Sequence, residues 1–391
     1  MSPKRLLVVI DEMEVGGSQR QIVHLLTGID RTQWQPELAY FRNDSFLTTR
    51  LRDAGVPVHY LPKAGRMDLR FLRDFARLLR LGNYDLIHAF SLTGELWAVL
   101  ARMVSGKAPP LVASERSQQV RQPPWYWPVK HFVLARSVGV IANSKAGAET
   151  TALRTRLPRS FFDTIPNGVR IPPPIPHRER LAIRAELGLP QGRLFGLFVG
   201  RMVPLKNLDC LIRALALLGP RDRPWMALSG DGPSRSDVER MATDCGVERD
   251  LLFLGERDDV TRLMQAADFL VLPSHLEGLS NSLLEAMAAG CAVLASAVGG
   301  SPELIEHEQT GLLFPANNPV ALAERMLRLA DEPLRSTLSR QARDHVSRTH
   351  GIPALVEATV AVYERCIVQD RDRSRRHRAA SVHQVAGDGP A

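Results

Sequence analysis

The stretch Phe269-Leu270-Val271-Leu272-Pro273-Ser274-His275-Leu276-Glu277-Gly278-Leu279-Ser280-Asn281-Ser282-Leu283-Leu284-Glu285-Ala286-Met287-Ala288-Ala289-Gly290 changes character twice. An apolar run cut off by proline reads as the end of a buried parallel strand. Small polar residues follow, and Ser280, Asn281 or Ser282 can cap a helix that stops at Gly290, where glycine lets the chain turn left-handed. Strand, loop and helix make the repeat of a parallel α/β sheet, whose ligands collect beyond the carboxyl ends of the strands. This reading puts Glu277 on the loop and Glu285 in the helix. The backbone N–H groups of Gly278, Leu279 and Ser280 then sit at the positive helix end, which favours an anion. A pair of glutamates is ordinarily two solvated acids. Glu285, however, stands among Leu283, Leu284, Ala286, Met287, Ala288 and Ala289, and a carboxylate buried there needs donors such as sugar hydroxyls.

The same alternation runs outward in both directions. Toward the N-terminus, strand-like runs occur at 5–10, 37–41, 58–61, 86–90, 111–114 and 138–142. Helical spacing separates them, as over Leu69 to Leu81, where Leu72, Phe75, Ala76 and Leu79 share a face. The first strand leads into Gly16-Gly17, a turn that lets backbone approach a phosphate but also serves simple sterics. Beyond the prolines of 171–176, a strand over 194–199 ends in Gly200-Arg201, followed by Pro204-Leu205-Lys206-Asn207. Two cations directly after a strand end can neutralise a diphosphate. Gly230-Asp231-Gly232-Pro233 and Gly255 close the next two strands.

These segments resemble those of the retaining GT4 glycosyltransferases of the GT-B fold, glycosyltransferase group 1. Glu277-Gly278-Leu279 with Glu285-Ala286 is similar to that family's E-x7-E signature, and Gly200-Arg201 with Lys206 to its phosphate-binding pair. The resemblance covers about residues 6–368 and implies two Rossmann-like, doubly wound parallel-sheet domains facing across a cleft. It further implies donor contacts at Gly16, Gly17, Gly200, Gly230, Asp231, Gly255, Gly278, Leu279, Ser280 and Glu285. Glu277, Arg201 and Lys206 are the expected catalytic groups. His88 joins them as the first His of a segment similar to D-x-x-H-x-H, whose second His is Phe90 here. A lone histidine in an apolar strand is otherwise a satisfied core residue. Arg116, at the end of the strand 111–114, is a candidate for acceptor or phosphate, with a surface ion pair as the alternative. Trp125 and Trp127, in the basic aromatic segment 121–132, suit an acceptor platform or a bilayer interface; covering the core beneath is the plainer role.

Composition bounds the rest. A chain of 391 residues fits two domains of ordinary size. No apolar run approaches the roughly 18 to 20 residues of a membrane span, and Leu6 to Ile10 is too short for a signal-peptide core. Cys210, Cys245, Cys291 and Cys366 are scattered and have neither zinc-like nor disulfide-framework spacing, as in a reducing compartment. Residues 1–170 hold 24 Lys/Arg and 14 Asp/Glu, a net +10, which leaves 26 and 28, a net −2, for the remainder. With no nucleic-acid motif beside it, the basic half suits an anionic membrane surface or a lipid-phosphate acceptor.

The expected organisation is an acceptor-binding domain over 1–170, a Pro-rich linker at 171–176 and a nucleotide-sugar-binding domain over 177–350. A helix over 351–369 would cross back to the first domain, and a disordered tail would occupy 370–391. The expected function is metal-independent, retaining transfer of a hexose from a nucleotide-diphosphate sugar to a glycan or lipid-linked acceptor in cell-surface polysaccharide or glycolipid synthesis. A UDP-sugar is favoured over a GDP-sugar, no cofactor is expected, and the enzyme would be cytoplasmic or peripheral at the inner membrane face. A nucleotide-sugar 2-epimerase and a non-catalytic nucleotide-sugar-binding protein are the alternatives.

Overall fold

In the computed structural model, residues 2–65, 67–116, 122–190 and 192–387 are described, with side chains to residue 372. Arg121, at the start of the basic aromatic segment, lies outside them. Two compact units divide the chain, one of Met1–Pro166 with Ile352–Ala391 and the other of Asn167–Gly351.

The first unit alternates β1 (Lys4–Val9), α1 (Gly17–Gly28), β2 (Trp34–Tyr40), α2 (Phe46–Asp53), β3 (Val58–Tyr60), α3 (Leu69–Gly82), β4 (Leu86–Ala89) and α4 (Leu92–Ser105). It continues through β5 (Leu111–Glu115), α5 (Tyr126–Leu134), β6 (Gly139–Ala142), α6 (Lys145–Thr155) and β7 (Phe162–Thr164). Its strands pair in parallel in the order β3-β2-β1-β4-β5-β6-β7. Alternation along β1 explains the two cores. Leu6 and Val8 join Ile22, Leu25 and Leu26 of α1 on one face, and Leu7 and Val9 join Phe75, Leu79 and Ala98 of α3 and α4 on the other.

The second unit runs α7 (His177–Glu186), β8 (Phe195–Val199), α8 (Leu208–Leu217), β9 (Trp225–Ser229), α9 (Arg235–Asp244), β10 (Leu251–Gly255), α10 (Val260–Ala266) and β11 (Phe269–Leu272). Then come α11 (Asn281–Ala289), β12 (Ala292–Ser296), α12 (Ser301–Leu304), β13 (Leu312–Phe314), α13 (Pro319–Arg328) and α14 (Glu332–Thr349). The parallel order is β10-β9-β8-β11-β12-β13. In both sheets the direction of winding reverses beside the first strand, between β1 and β4 and between β8 and β11, which is where open α/β sheets bind ligands.

The chain then returns to the first unit as α15 (Ile352–Gly387). Leu355, Val362, Tyr363, Cys366 and Ile367 complete the core on the α1 face.

Two expectations need correction. The segment 171–176 is part of the second unit, because Ile171 and Ile175 pack on its core. Arg343 and Gln265 also donate to the carbonyls of Pro172 and Pro173 at 2.6 and 2.7 Å. The chain changes unit earlier, at Pro166–Asn167. The tail expected to be disordered from 370 continues α15 to Gly387; its Arg, Ala, Gln and Val residues contain no helix breaker before Gly387.

Candidate functional site

At the carboxyl edge of the second sheet, backbone is folded on backbone. Gly230, with φ +131°, bends the exit of β9 so closely over β8 that a Cβ would overlap the Gly200 carbonyl. Its N–H donates to Gly255 O at 2.7 Å, while Gly200 N donates to Ser229 O at 3.0 Å and Met202 N to Asp231 O at 2.8 Å. The exits of β8, β9 and β10 therefore form one platform that only glycine permits at these crossings. Arg201 and Asp231 stand exposed on it.

The loop after β11 is fixed from three sides. Left-handed Asn207 donates from its amide to Pro273 O at 3.2 Å, and His275 N donates to Leu205 O at 2.9 Å. Ser296 Oγ, at the end of β12, donates to Ser274 O at 2.6 Å, and Gly300 N to Gly278 O at 2.8 Å. Asn167 Nδ2 donates to Leu279 O at 3.2 Å and to Asn281 Oδ1 at 2.7 Å. Held this way, Glu277 Oε1 accepts from Lys206 Nζ at 2.5 Å and from Ser274 Oγ at 2.6 Å. Lys206 is 19% and Glu277 11% exposed at the side chain, so the pair is neither buried nor freely solvated.

Ser280 caps α11 through Leu283 N, and Gly290 ends the helix in the left-handed region. Leu283, Leu284 and Ala286 through Ala289 are buried, but Glu285 is only half-buried. The expectation of a carboxylate sunk among apolar neighbours is corrected: Glu285 lies where the apolar stripe of α11 gives way to solvent.

The remaining candidates belong to the first unit. Gly16 and Gly17 open α1 beyond β1, and Arg20 N donates to Gly16 O at 3.1 Å. Arg116 lies 5.1 Å from the centroid of the buried Phe90 ring, and burial brings its guanidinium down to about 10. Trp125 is 60% exposed, whereas Trp127 is half-buried between Tyr126 and Arg154.

His88 is corrected as a catalytic candidate. It is fully buried, with Nδ1 2.5 Å from Tyr363 Oη and Nε2 2.7 Å from Ser114 Oγ. Burial, then the nearby Arg116 charge, drives its pKa well below the ordinary histidine range. Both ring nitrogens are committed within the core, so the side chain has no atom left to offer a substrate.

Two groups escaped sequence reasoning. Ser274, three residues before Glu277, orients that carboxylate; the signal was a hydroxyl within loop reach. The second is a buried cluster in which Lys130 Nζ donates to both oxygens of Glu95 at 3.0 and 2.9 Å and stands 3.5 Å from Glu115. Burial pushes Glu95 up to about 7 against the pull of Lys130. Burial alone would lower Lys130, but the carboxylates hold it above the usual lysine range. Nothing in the spacing of residues 95, 115 and 130 announces their meeting.

Comparison with known proteins agrees with this geometry. Residues 15–171 match the family model Glycosyltransferase Family 4 and residues 179–345 match Glycosyl transferases group 1. The chain is 32% identical over 295 residues to the D-inositol 3-phosphate glycosyltransferase of Saccharomonospora viridis, covering 68% of this chain and 67% of the relative. It is 30% identical over 325 residues to the 2-deoxystreptamine glucosyltransferase of Streptomyces kanamyceticus, covering 77% and 82%. The match spans about half to two thirds of the length of the inositol-phosphate relatives. The crystal structure of Anabaena Alr3699/HepE in complex with UDP superimposes with a TM-score of 0.81 at 21% identity, covering 92% of this chain and 99% of that one. Two parallel sheets, each wound from its first strand in both directions, and these matches over both units establish that the chain belongs to the group 1 (GT4) glycosyltransferases and has the GT-B fold.

Proposed function

We propose that this protein transfers a hexosyl group from a nucleotide-diphosphate sugar to a hydroxyl of a glycan or lipid-linked acceptor, with retained anomeric configuration. The observation that carries the proposal is the Lys206–Glu277 pair, held between two adjacent strand ends at the point where the second sheet reverses its winding. The exposed Arg201 and the Lys206 ammonium would take the diphosphate, helped by the backbone N–H groups at the start of α11. Glu285 would accept from the ribose hydroxyls, and Glu277 and the 278–280 backbone would meet the hexose and its phosphate. A UDP-sugar is the favoured donor, because Anabaena Alr3699/HepE binds UDP and UDP-glucose in its crystal structures.

In the reaction, the bond from the anomeric carbon to the β-phosphate oxygen breaks and the acceptor oxygen bonds to the same face. The hydroxyl proton leaves with the diphosphate. The transition state is oxocarbenium-like, so stabilising the departing phosphate is the main task, and two side-chain cations accomplish it without a metal. Glu277 and Glu285 hold the donor, unlike a hydrolase pair that flanks the scissile bond.

The acceptor is assigned to the basic first unit. Arg70, Arg73, Arg77 and Arg80 lie exposed along α3, with Met67 and Leu69 exposed at its start, a pattern that suits an anionic bilayer surface. Among the described residues no helix is long and apolar enough to cross a membrane. Screening UDP- and GDP-sugars for thermal stabilisation identifies the donor by mass action. Radiolabel from that donor must then appear on an acceptor; label in free epimerised sugar would replace transfer by epimerisation.

A further inference from the structure

The loop between β11 and α11 is anchored through two successive carbonyls. Gly300 N donates to Gly278 O at 2.8 Å, and Asn167 Nδ2 donates to Leu279 O at 3.2 Å. A trans peptide points its C=O and N–H in opposite directions, so these anchors turn the N–H groups of Leu279 and Ser280 away from them. Both residues are buried, and among the described residues neither N–H has an acceptor in the chain. An N–H in such a place is completed by a ligand or by water.

The two anchors differ in kind. Gly300 is backbone on backbone, pressed so close that a Cβ would overlap the Gly278 carbonyl. Asn167 is a side chain, 3% exposed and 112 positions away from the carbonyl it holds. Its amide nitrogen is used twice, on Leu279 O and on Asn281 Oδ1 at 2.7 Å. A carbonyl can only accept, which fixes nitrogen rather than oxygen as the Asn167 atom facing Leu279. Leu279 and Asn281 flank Ser280, the residue that caps α11 through Leu283 N. One carboxamide therefore holds the chain on both sides of the cap. That takes two donors on one short side chain; a hydroxyl has one and a carboxylate none.

Asn167 is itself held in place. It is the first residue of the second unit. Just beyond it, Val169 N donates to His350 O at 2.8 Å, and Val169 bridges to Gly351, the last residue of that unit. The two ends of the unit are thus joined beside Asn167, which leaves its backbone little freedom to follow the loop.

We propose that Asn167 is a positioning residue for transfer: it aims the Ser280 N–H and the first turn of α11 at the departing phosphate of the sugar donor, and touches no substrate itself. This rests on the function proposed above, which supplies the phosphate. A preorganised N–H contributes most where charge develops, and both UDP and the transition state carry more charge on the outer phosphate than the intact nucleotide sugar does. Loss of the clamp should therefore lower kcat and UDP affinity together and change the KM for the nucleotide sugar less.

The test compares the full chain with Asn167→Ala and Asn167→Asp. Aspartate keeps the shape of asparagine but has no amide donor, and its charge faces two acceptor oxygens; alanine leaves room for water to reach Leu279 O. With the confirmed donor, kcat and the calorimetric affinity for UDP should each fall about tenfold in Asn167→Ala and further in Asn167→Asp. The KM for the acceptor should not move. Amide exchange over 278–283 in the unliganded chain, read by mass spectrometry, should quicken in both variants. Asn167→Ser, smaller and with one donor left, carries the test where the charged variant does not fold, and should show the same split between kcat and KM to a smaller degree. Variants that lose Tm alone, or that raise the KM for the nucleotide sugar while kcat and UDP affinity hold, overturn the inference and leave the proposed function standing. An unmodified chain that neither binds UDP nor turns over any nucleotide sugar removes the proposed function, and the role of Asn167 in transfer with it.

Discussion

Lys206 Nζ lies 2.5 Å from Glu277 Oε1, and Ser274 Oγ shares the same carboxylate oxygen at 2.6 Å. One strand end supplies a cation, the next supplies the acid that holds it, and a donor diphosphate would compete for that cation. Without Lys206 the departing phosphate loses one of its two proposed side-chain cations. Lys206→Ala should lower kcat/KM by about 10² to 10³, the usual cost of deleting one transition-state charge partner, with little change in Tm. Steady-state nucleotide release with the confirmed donor checks it, and unchanged turnover would remove Lys206 from the mechanism.

Gly230 gives a backbone test of the same platform. At φ +131° and pressed on Gly200 O, it can accept a side chain only if the exits of β8 and β9 separate. Gly230→Ala should cost about 2 to 4 kcal/mol from strain and displaced backbone together. UDP stabilisation should also fall, because Gly200 and Arg201 move with the β8 exit. Chemical denaturation with and without UDP measures both effects, and a variant as stable as the parent would show that the crossing tolerates a Cβ.

Most of the sheet was legible because a parallel strand buried on both faces is a continuous apolar run, such as Phe269–Leu272, closed by Pro or Gly. The Glu277 loop was legible for a similar reason: its motif is local, and the chain itself carries it to a strand end. Where the reading failed, the deciding partner was distant in sequence. His88 looked catalytic until Tyr363, from the returning helix α15, and Ser114 took both ring nitrogens. Glu285 looked buried because residue type was counted without the helix phase. The prolines of 171–176 looked like a linker, but Ile171 and Ile175 bind that segment to the second core.

The corrected role of His88 has its own consequence. His88→Ala leaves Tyr363 Oη and Ser114 Oγ without their partner in the core and opens a cavity. The expected loss is about 3 kcal/mol of stability. Turnover per folded molecule, measured well below the new Tm, should stay within a few-fold of the parent. A drop of a hundredfold or more in kcat with unchanged stability would return His88 to the catalytic groups.

Glu37 should dominate the acid limb of stability in the first unit. Burial alone would raise its pKa, but His59 at 2.7 Å, Arg5 and Tyr84 at 2.8 Å outweigh it and hold the carboxyl down at about 2, against an ordinary 4.5. A folded pKa below the unfolded one contributes stability that is present above 4.5 and lost as pH falls through about 2. Glu37→Gln should therefore be less stable than the parent at neutral pH, with the difference shrinking across that window. Urea midpoints from pH 7 downward measure it, and a pH-independent difference would mean that the amide has only perturbed packing.

The Lys130 cluster makes the opposite pH prediction. Glu95 is completely buried and Glu115 nearly so; Lys130 bonds to Glu95 at 2.9 Å and stands 3.5 Å from Glu115, Ser114 N donates to Glu95 and Thr151 Oγ1 to Glu115. Lys130→Met would leave two carboxylates facing each other in the core, which should cost about 3 to 5 kcal/mol. Adding Glu95→Gln removes one of those charges and keeps an acceptor for Ser114 N, so the double variant should recover part of the loss, a coupling that additive effects cannot produce. Burial already sets the Glu95 pKa near 7, above its ordinary 4.5, so the folded state binds that proton more tightly than the unfolded state. Stability from this group is fully present below 4.5 and declines as pH rises through 7. Without Lys130 the decline should steepen, leaving Lys130→Met clearly more stable at pH 5 than at pH 8, whereas Lys130→Met/Glu95→Gln should show a flatter profile. Denaturation midpoints of the three proteins at the two pH values settle it; identical pH profiles for single and double variants would mean that Glu95 is not the group Lys130 neutralises.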